Sequence, residues 1–448
     1  MTLLLRIIYR VYRLVTGRWY WARRRFTPAG IGLLVALILA ILLAPDTEHN
    51  LTSQALPLLL SLTVLAVGLS WRFKAPFAVS RLLPKFGTVG CSLGYRVMVK
   101  NLSAKAQNNL TLLENLADPR PCFAHWAAYQ RAAQKALRSF RFSSPQSVNP
   151  FRTPTVKSAA VPPLPPGHEA EVRVEFTPLR RGVLRFTGLT LARSDPLGLS
   201  RALNTAPLPQ TLLVLPRRYP LPAIPLPGNA RYQEGGVALA ASVGQSDEYV
   251  ALRDYRHGDP LRHIHWRSWA RVGRPVVKEF EDEFFVRHAL VLDTFTGQAH
   301  SEVFEEAVSV AASFACTLPT QESLLDLLFV GPQSYCFTAG RGVAHEEQML
   351  EILASVRPCS DQPFRALEHL VLGHVRVVSA CICVLLAWDE ARRDFIRKLK
   401  ELSVPVVVFV IAPAGQRPTL DPGPLRDEPD RFLVLEAGRI EAGLAKVA

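Results

Sequence analysis

No Cys-x-x-Cys pair occurs in this chain, and the common nucleotide and zinc signatures are missing as well. Without Gly-x-x-x-x-Gly-Lys-Ser/Thr or Gly-x-Gly-x-x-Gly, binding of ATP or a dinucleotide lacks its usual signal. Without His-Glu-x-x-His there is no helix-borne zinc pair. The seven cysteines (Cys91, Cys122, Cys316, Cys336, Cys359, Cys381, Cys383) are scattered and odd in number. Cys381 and Cys383 lie in an apolar run where strand alternation puts both on one face, so they read as buried thiols rather than metal ligands. A reducing compartment suits that pattern.

Charge is absent from two stretches, Phe26–Pro45 and Leu51–Trp71. Each is about 20 residues, the length a helix needs to cross a bilayer. The pair predicts a two-helix transmembrane hairpin over 26–71, with the membrane itself as a partner. Arg6, Arg10, Arg13, Arg18 and Arg23–Arg25 precede it, Arg72, Lys74, Arg81 and Lys85 follow it, and the turn between has no cation. The positive-inside bias then places both termini in the cytoplasm of a bacterial inner membrane. The basic lead, 1–25, spaces Arg6, Arg10 and Arg13 for one helical face, so it either lies along the bilayer surface or runs straight into the first span. Residues 1–85 carry eleven cations against two acids, a net +9 of the chain's +14. The remainder is unremarkable, and a nucleic-acid partner is not expected.

At 448 residues the chain needs more than one core. Short alternating segments such as Leu93–Lys100 and Glu171–Thr177 predict a β-sandwich over 72–218. An insertion at about 118–167 interrupts it, with an amphipathic helix at Phe123–Phe140. The Pro-rich Tyr219–Gly228 opens a linker over 219–248. From 284 to 448, apolar strands (Val286–Leu292, Leu324–Val330, Cys381–Ala387, Val404–Ile411) alternate with amphipathic helices. That texture predicts a mostly parallel α/β sheet, Rossmann-like in class, covered on both faces.

The densest window is Arg253–Lys278, within a segment spanning 249–283. It has seven Lys/Arg, two Asp, three His and two Trp, and an acidic run (Glu279, Glu281, Asp282, Glu283) follows. Arg253, Tyr255, Gly258, Asp259, Arg262, Ile264, Trp266 and Arg271 fall in a pattern that resembles the hallmark of a bacterial family known only as domain of unknown function fifty-eight. Arg180-Arg181-Gly182-Val183 and Ser194-Asp195-Pro196-Leu197-Gly198-Leu199 resemble further markers of that family. The resemblance spans nearly the whole chain. It implies a von Willebrand factor A-like domain at the C-terminus. It also implies encoding beside MoxR-type AAA+ ATPases and transglutaminase-like membrane proteins, and no established activity.

Such A-like domains often hold Mg²⁺ at Asp-x-Ser-x-Ser, because two hydroxyls and a carboxylate suit an octahedral ion. Here the motif is Asp293-Thr294-Phe295-Thr296-Gly297, with only the carboxylate in place, so Asp293 is a degenerate metal position and no cofactor is expected. Three uses of Arg253–Lys278 remain open: clamping the acidic run, binding a partner through Trp266, Trp269 and Arg side chains, or an anion or catalytic site. His265 belongs to the hallmark, and on a strand His263 and His265 would share a face. The resulting expectation is a membrane-anchored scaffold or adaptor, partnering a MoxR-type ATPase in an envelope-related process. The alternative is a metal-dependent hydrolase using Asp293, Asp389, His263 and His265.

Overall fold

Alternation of apolar and polar side chains along the first strands builds a two-sheet sandwich. The computed structural model describes residues 2–43, 51–70, 76–131 (apart from 119, 125, 128 and 129), 156–222, 231–232, 251–279 (apart from 258 and 260), 284–297, 301–317, 323–340, 346–415 and 420–445. They fall into two units, the first comprising 1–138 and 149–215, the second 139–148 and 216–448. The first begins with helices α1 (Thr2–Arg25), α2 (Pro28–Leu43) and α3 (Leu51–Ser70). Eight strands follow: β1 (Phe77–Leu82), β2 (Phe86–Thr88), β3 (Leu93–Asn101), β4 (Leu110–Leu116), β5 (Ala159–Val161), β6 (Glu169–Phe176), β7 (Gly182–Ser194) and β8 (Arg201–Leu215). They form a β1-β3-β6 sheet and a β2-β8-β7-β4-β5 sheet. Tyr95, Val97 and Val99 of β3 and Val172, Val174 and Phe176 of β6 face Leu112, Leu189, Leu191 and Leu212 in one core. Arg81 on β1 and Glu114 on β4 pair at 2.7 Å across the two sheets, both side chains fully buried. Tyr95 Oη donates to the same carboxylate at 2.6 Å. Burial pushes the Glu114 pKa up, against the pull of Tyr95 and Arg81.

The expected transmembrane hairpin is not supported. No helix among the described residues is long and apolar enough to cross a membrane. The 16 residues of α2 rise about 24 Å, short of the roughly 30 Å hydrocarbon layer. Phe26 and Thr27, counted with the first apolar run, instead join the β-domain: Phe26 bridges Ser200, and Thr27 Oγ1 donates to the Gly198 carbonyl at 2.6 Å. In α3, the apolar stretch is broken by Pro57 and preceded by Thr52, Ser53 and Gln54. The two-span inner-membrane localisation falls with the hairpin, and so does the orientation read from its flanks.

The Asp195-Pro-Leu-Gly-Leu marker is the turn between β7 and β8 that seats these helices. Asp195 Oδ1 accepts from the amides of Leu199 (2.7 Å) and Ser200 (2.9 Å), and Ser200 Oγ donates to the Ala66 carbonyl of α3 at 2.9 Å. A Cβ on Gly30 of α2 would lie 1.9 Å from the Leu199 carbonyl oxygen, so only glycine permits this approach.

In the second unit, a two-residue β9 (Arg231–Tyr232) is followed by the hairpin strands β10 (Ala251–Asp254) and β11 (Val276–Glu279), which enclose a seven-residue α4 (Trp266–Val272). Then come β12 (Phe284–Leu292), α5 (Glu302–Thr317), β13 (Ser323–Val330), β14 (Ser334–Ala339), α6 (Glu346–Ser355), α7 (Arg365–His374), β15 (Ala380–Leu385), α8 (Glu390–Glu401), β16 (Val406–Ala412), β17 (Phe432–Glu436) and α9 (Ile440–Leu444). The main sheet runs β14-β13-β12-β15-β16-β17, parallel except for the β14 edge. Numbered from β12, this is the doubly wound order 3-2-1-4-5-6. Helices α7 and α8 cover one face, over Val291, Cys381, Cys383 and Val408. Helix α5 covers the other, with Phe314 and Phe409 ring centroids 5.1 Å apart. Cys381 and Cys383 are buried together in the first of these cores, and burial holds the Cys383 thiol pKa well up. The Pro-rich segment starts docked: Tyr219 donates its N–H to Ser313 Oγ (2.8 Å) and its hydroxyl to Glu306 (2.6 Å), both on α5.

Candidate functional site

In an open α/β sheet, ligands bind outside the carboxyl ends of the strands, where the strand order reverses. Here that point lies between β12 and β15, and Asp293 occupies it. Its side chain is fully buried. Oδ1 accepts the Phe295 amide at 2.9 Å, and Oδ2 accepts the Leu386 amide at 3.0 Å and Arg392 Nε at 2.6 Å. Arg392, one turn into α8, also donates to Asp389 Oδ2 at 2.6 Å. Its guanidinium lies over the Phe364 ring, 4.7 Å from the centroid. Asp389 is the N-cap of α8, accepting the Arg392 amide at 3.1 Å. Burial alone would lower the Arg392 pKa, but Asp293 and then Asp389 outweigh it and raise the value. A protein cation thus sits against the carboxylate where the degenerate motif would have aimed a metal ion.

The neighbours reinforce this filling. Phe295 packs edge-on against Phe364 at 5.7 Å, and its backbone bridges Cys359. Thr294 is turned inward, donating to the Val330 carbonyl at 2.5 Å. No group of three or more His, Cys, Asp or Glu converges among the described residues. Arg392 was not foreseen from sequence. Its only trace there is Asp389-x-x-Arg392 directly after an apolar strand.

The hallmark segment forms a small structure of its own. Arg253 grips Asp259 with two bonds, 2.7 and 2.8 Å, and the Arg256 amide adds a third at 2.8 Å. The Arg253 guanidinium and the Arg256 amide hold the Asp259 pKa down at about 2. Arg274 pairs with Asp254 at 3.1 Å. The Tyr255 amide donates to the Pro275 carbonyl at 3.0 Å, which draws the two strand ends together. Two of the cations therefore clamp carboxylates inside the segment. The acidic residues 281–283 and Gly258 lie outside the described residues.

His263 and His265 do not alternate along a strand. Leu261–His263 is a 3₁₀ turn, and His265 stands just before α4. His265 Nδ1 lies 2.6 Å from Ser268 Oγ, and Arg262 Nε donates to His263 Nε2 at 3.3 Å. Helix α4 ends at Gly273 in the left-handed region (φ 76°), whose amide donates to the Trp269 carbonyl. Trp266 and Trp269 stack with centroids 5.1 Å apart. Trp266 stays 64% exposed, with Arg267, Arg271 and Val272 exposed beside it. So the structure brings Arg253 to Asp259, Trp266 to Trp269 and Asp293 to Asp389. Arg262 and Arg271 remain on the surface.

Residues 251–417 match the family model described as "Protein of unknown function DUF58". The match takes in the hallmark segment and the α/β sheet as far as the end of β16. The chain is also similar to the uncharacterized protein YeaD of Bacillus subtilis (strain 168), at 30% identity over 210 residues. That alignment covers 46% of this chain and 50% of YeaD, so the chain spans about half the length of this curated relative. Among solved structures, the CARDB domain of PF1109 from Pyrococcus furiosus matches at 17% identity, covering 31% of this chain and 94% of that one, with a TM-score of 0.18. A crystal structure of the same domain with di-metal ions matches at 14% identity, covering 32% and 89%, with a TM-score of 0.17. Likeness at that level carries no argument.

Proposed function

We propose that this chain is a non-catalytic scaffold or adaptor whose second unit presents the Trp266 face of the hallmark segment to a partner protein. The exposure of Trp266 carries the reading. An indole left in solvent, stacked on the half-buried Trp269 and with Arg267 and Arg271 exposed beside it, is the kind of surface that supplies interface hot spots, in which Trp and Arg are enriched. The filled crevice at Asp293 supports the same view, because its carboxylate is already engaged by Arg392 and two amides. The sheet order, with an antiparallel strand at the β14 edge, supports a von Willebrand factor A-like second unit. From the family resemblance, the partner is a MoxR-type AAA+ ATPase acting in an envelope-related process, with a transglutaminase-like membrane protein nearby.

The hydrolase alternative needs Arg392 to release Asp293. It also needs His263 and His265 to leave Arg262 and Ser268. Pull-down with the full chain as bait should retain a purified MoxR-type ATPase in at least one nucleotide state. Failure to retain it with ATP, with ADP and without nucleotide would remove that partner.

A further inference from the structure

We infer that α1 is an anionic-lipid-binding helix that lies on a bilayer surface without crossing it. Its sides divide into three. Leu5, Tyr9, Tyr12 and Thr16 turn inward or are half-covered, and Leu5, Tyr9 and Tyr12 pack with Phe123 and Trp126. The Tyr9 hydroxyl fixes this docking by donating to the Pro121 carbonyl at 2.7 Å. A second side, at the i, i+3, i+4, i+7 spacing of one helical stripe, leaves large apolar groups in solvent. Leu4, Ile7, Val11, Leu14 and Val15 are 52–62% exposed. The third side carries Arg6, Arg10 and Arg13, all exposed. Near the C-terminal end, Trp19, Tyr20 and Trp21 are each more than half exposed and interleaved with Arg18, Arg23 and Arg24.

Charge and ring chemistry decide what covers this face. α1 has seven Arg and no acidic residue. A second copy of the chain would bring seven more like charges against it, whereas a sheet of lipid phosphates would neutralise them. Basic residues beside an apolar stripe, with Trp at one end, is the composition of helices that settle at the headgroup boundary. A cavity of about 770 Å³ opens beside the basic side, lined by Arg6, Arg10, Arg13 and Arg120 over Tyr9 and Phe123. Arg120 is held there by Asp118 at 2.7 Å and donates to the Arg13 carbonyl at 3.1 Å. Its position and lining suit a phosphate headgroup whose chains follow the apolar stripe.

The test uses the full chain and two vesicle preparations, phosphatidylcholine alone and phosphatidylcholine mixed equally with phosphatidylglycerol. Co-sedimentation should favour the anionic vesicles by at least about 100-fold, and high salt should erase the preference. Replacing Arg6, Arg10 and Arg13 together by Gln should lower anionic-vesicle affinity on the order of 100-fold, and replacing them by Lys should retain it. Helices α2 and α3 hold no charged residue, so a headgroup preference cannot come from them. Val11→Asp should weaken binding to both vesicle types. Equal binding to both vesicles, or a preference that survives the Gln variant, would overturn the inference. So would failure to bind anionic vesicles by a lipid-free dimer that Val11→Asp dissociates.

Discussion

Arg392 illustrates how one residue sets what a site can do. A buried carboxylate at a strand end is expensive unless charge or hydrogen bonds compensate it, and Asp293 receives both from Arg392 and the amides of Phe295 and Leu386. Breaking one partner of a buried pair strands the other, so Arg392→Met should cost about 3–5 kcal/mol in denaturant unfolding. Adding Asp293→Asn removes the stranded charge and should recover part of that loss. A cost below about 1 kcal/mol for the single variant would mean that the carboxylate is compensated otherwise. Asp293 itself was legible in the sequence as a strand-end carboxylate in a degenerate motif. Its partner was not, because Arg392 lies 99 positions away and meets it only when β12 and β15 pair.

At the scale of elements, periodicity carried most of the information. Val286–Leu292, Leu324–Val330 and Cys381–Ala387 lie within a residue or two of β12, β13 and β15, because buried strands write an apolar run directly into the chain. β17 and α9 were missed because five residues are too few to show a period. The condition for His263 and His265 to share a face, a strand, is not met: a 3₁₀ turn and a helix start hold them instead. The transmembrane reading failed for a related reason. Apolar content measures hydrophobicity but not where a helix ends or what its foot contacts. The close contact at Gly30 shows what that foot does: Gly30→Ala forces a methyl into the Leu199 carbonyl. Displacing α2 from the β7–β8 turn should destabilise the first unit by about 1–3 kcal/mol. Calorimetry that found no loss would show that α2 is not seated there in solution.

Across the whole molecule, the chemistry is divided between two kinds of place. Buried ion pairs, Arg81 with Glu114 in the sandwich and Arg392 with Asp293 in the α/β sheet, lie within each core. Exposed Arg and Trp residues occur together on α1 and α4, where they can meet partners. The family resemblance located the hallmark segment, yet only the structure separated its internal clamp, Arg253 with Asp259, from its outward face, Trp266 with Arg267 and Arg271. That outward face is the centre of the account. The decisive measurement is a calorimetric titration of a purified MoxR-type ATPase into the full chain and into its Trp266→Ala variant, at matched melting temperatures. A hot-spot indole predicts that affinity falls about 30-fold or more in the variant. Equal affinity for the two proteins would contradict the docking surface proposed at Trp266.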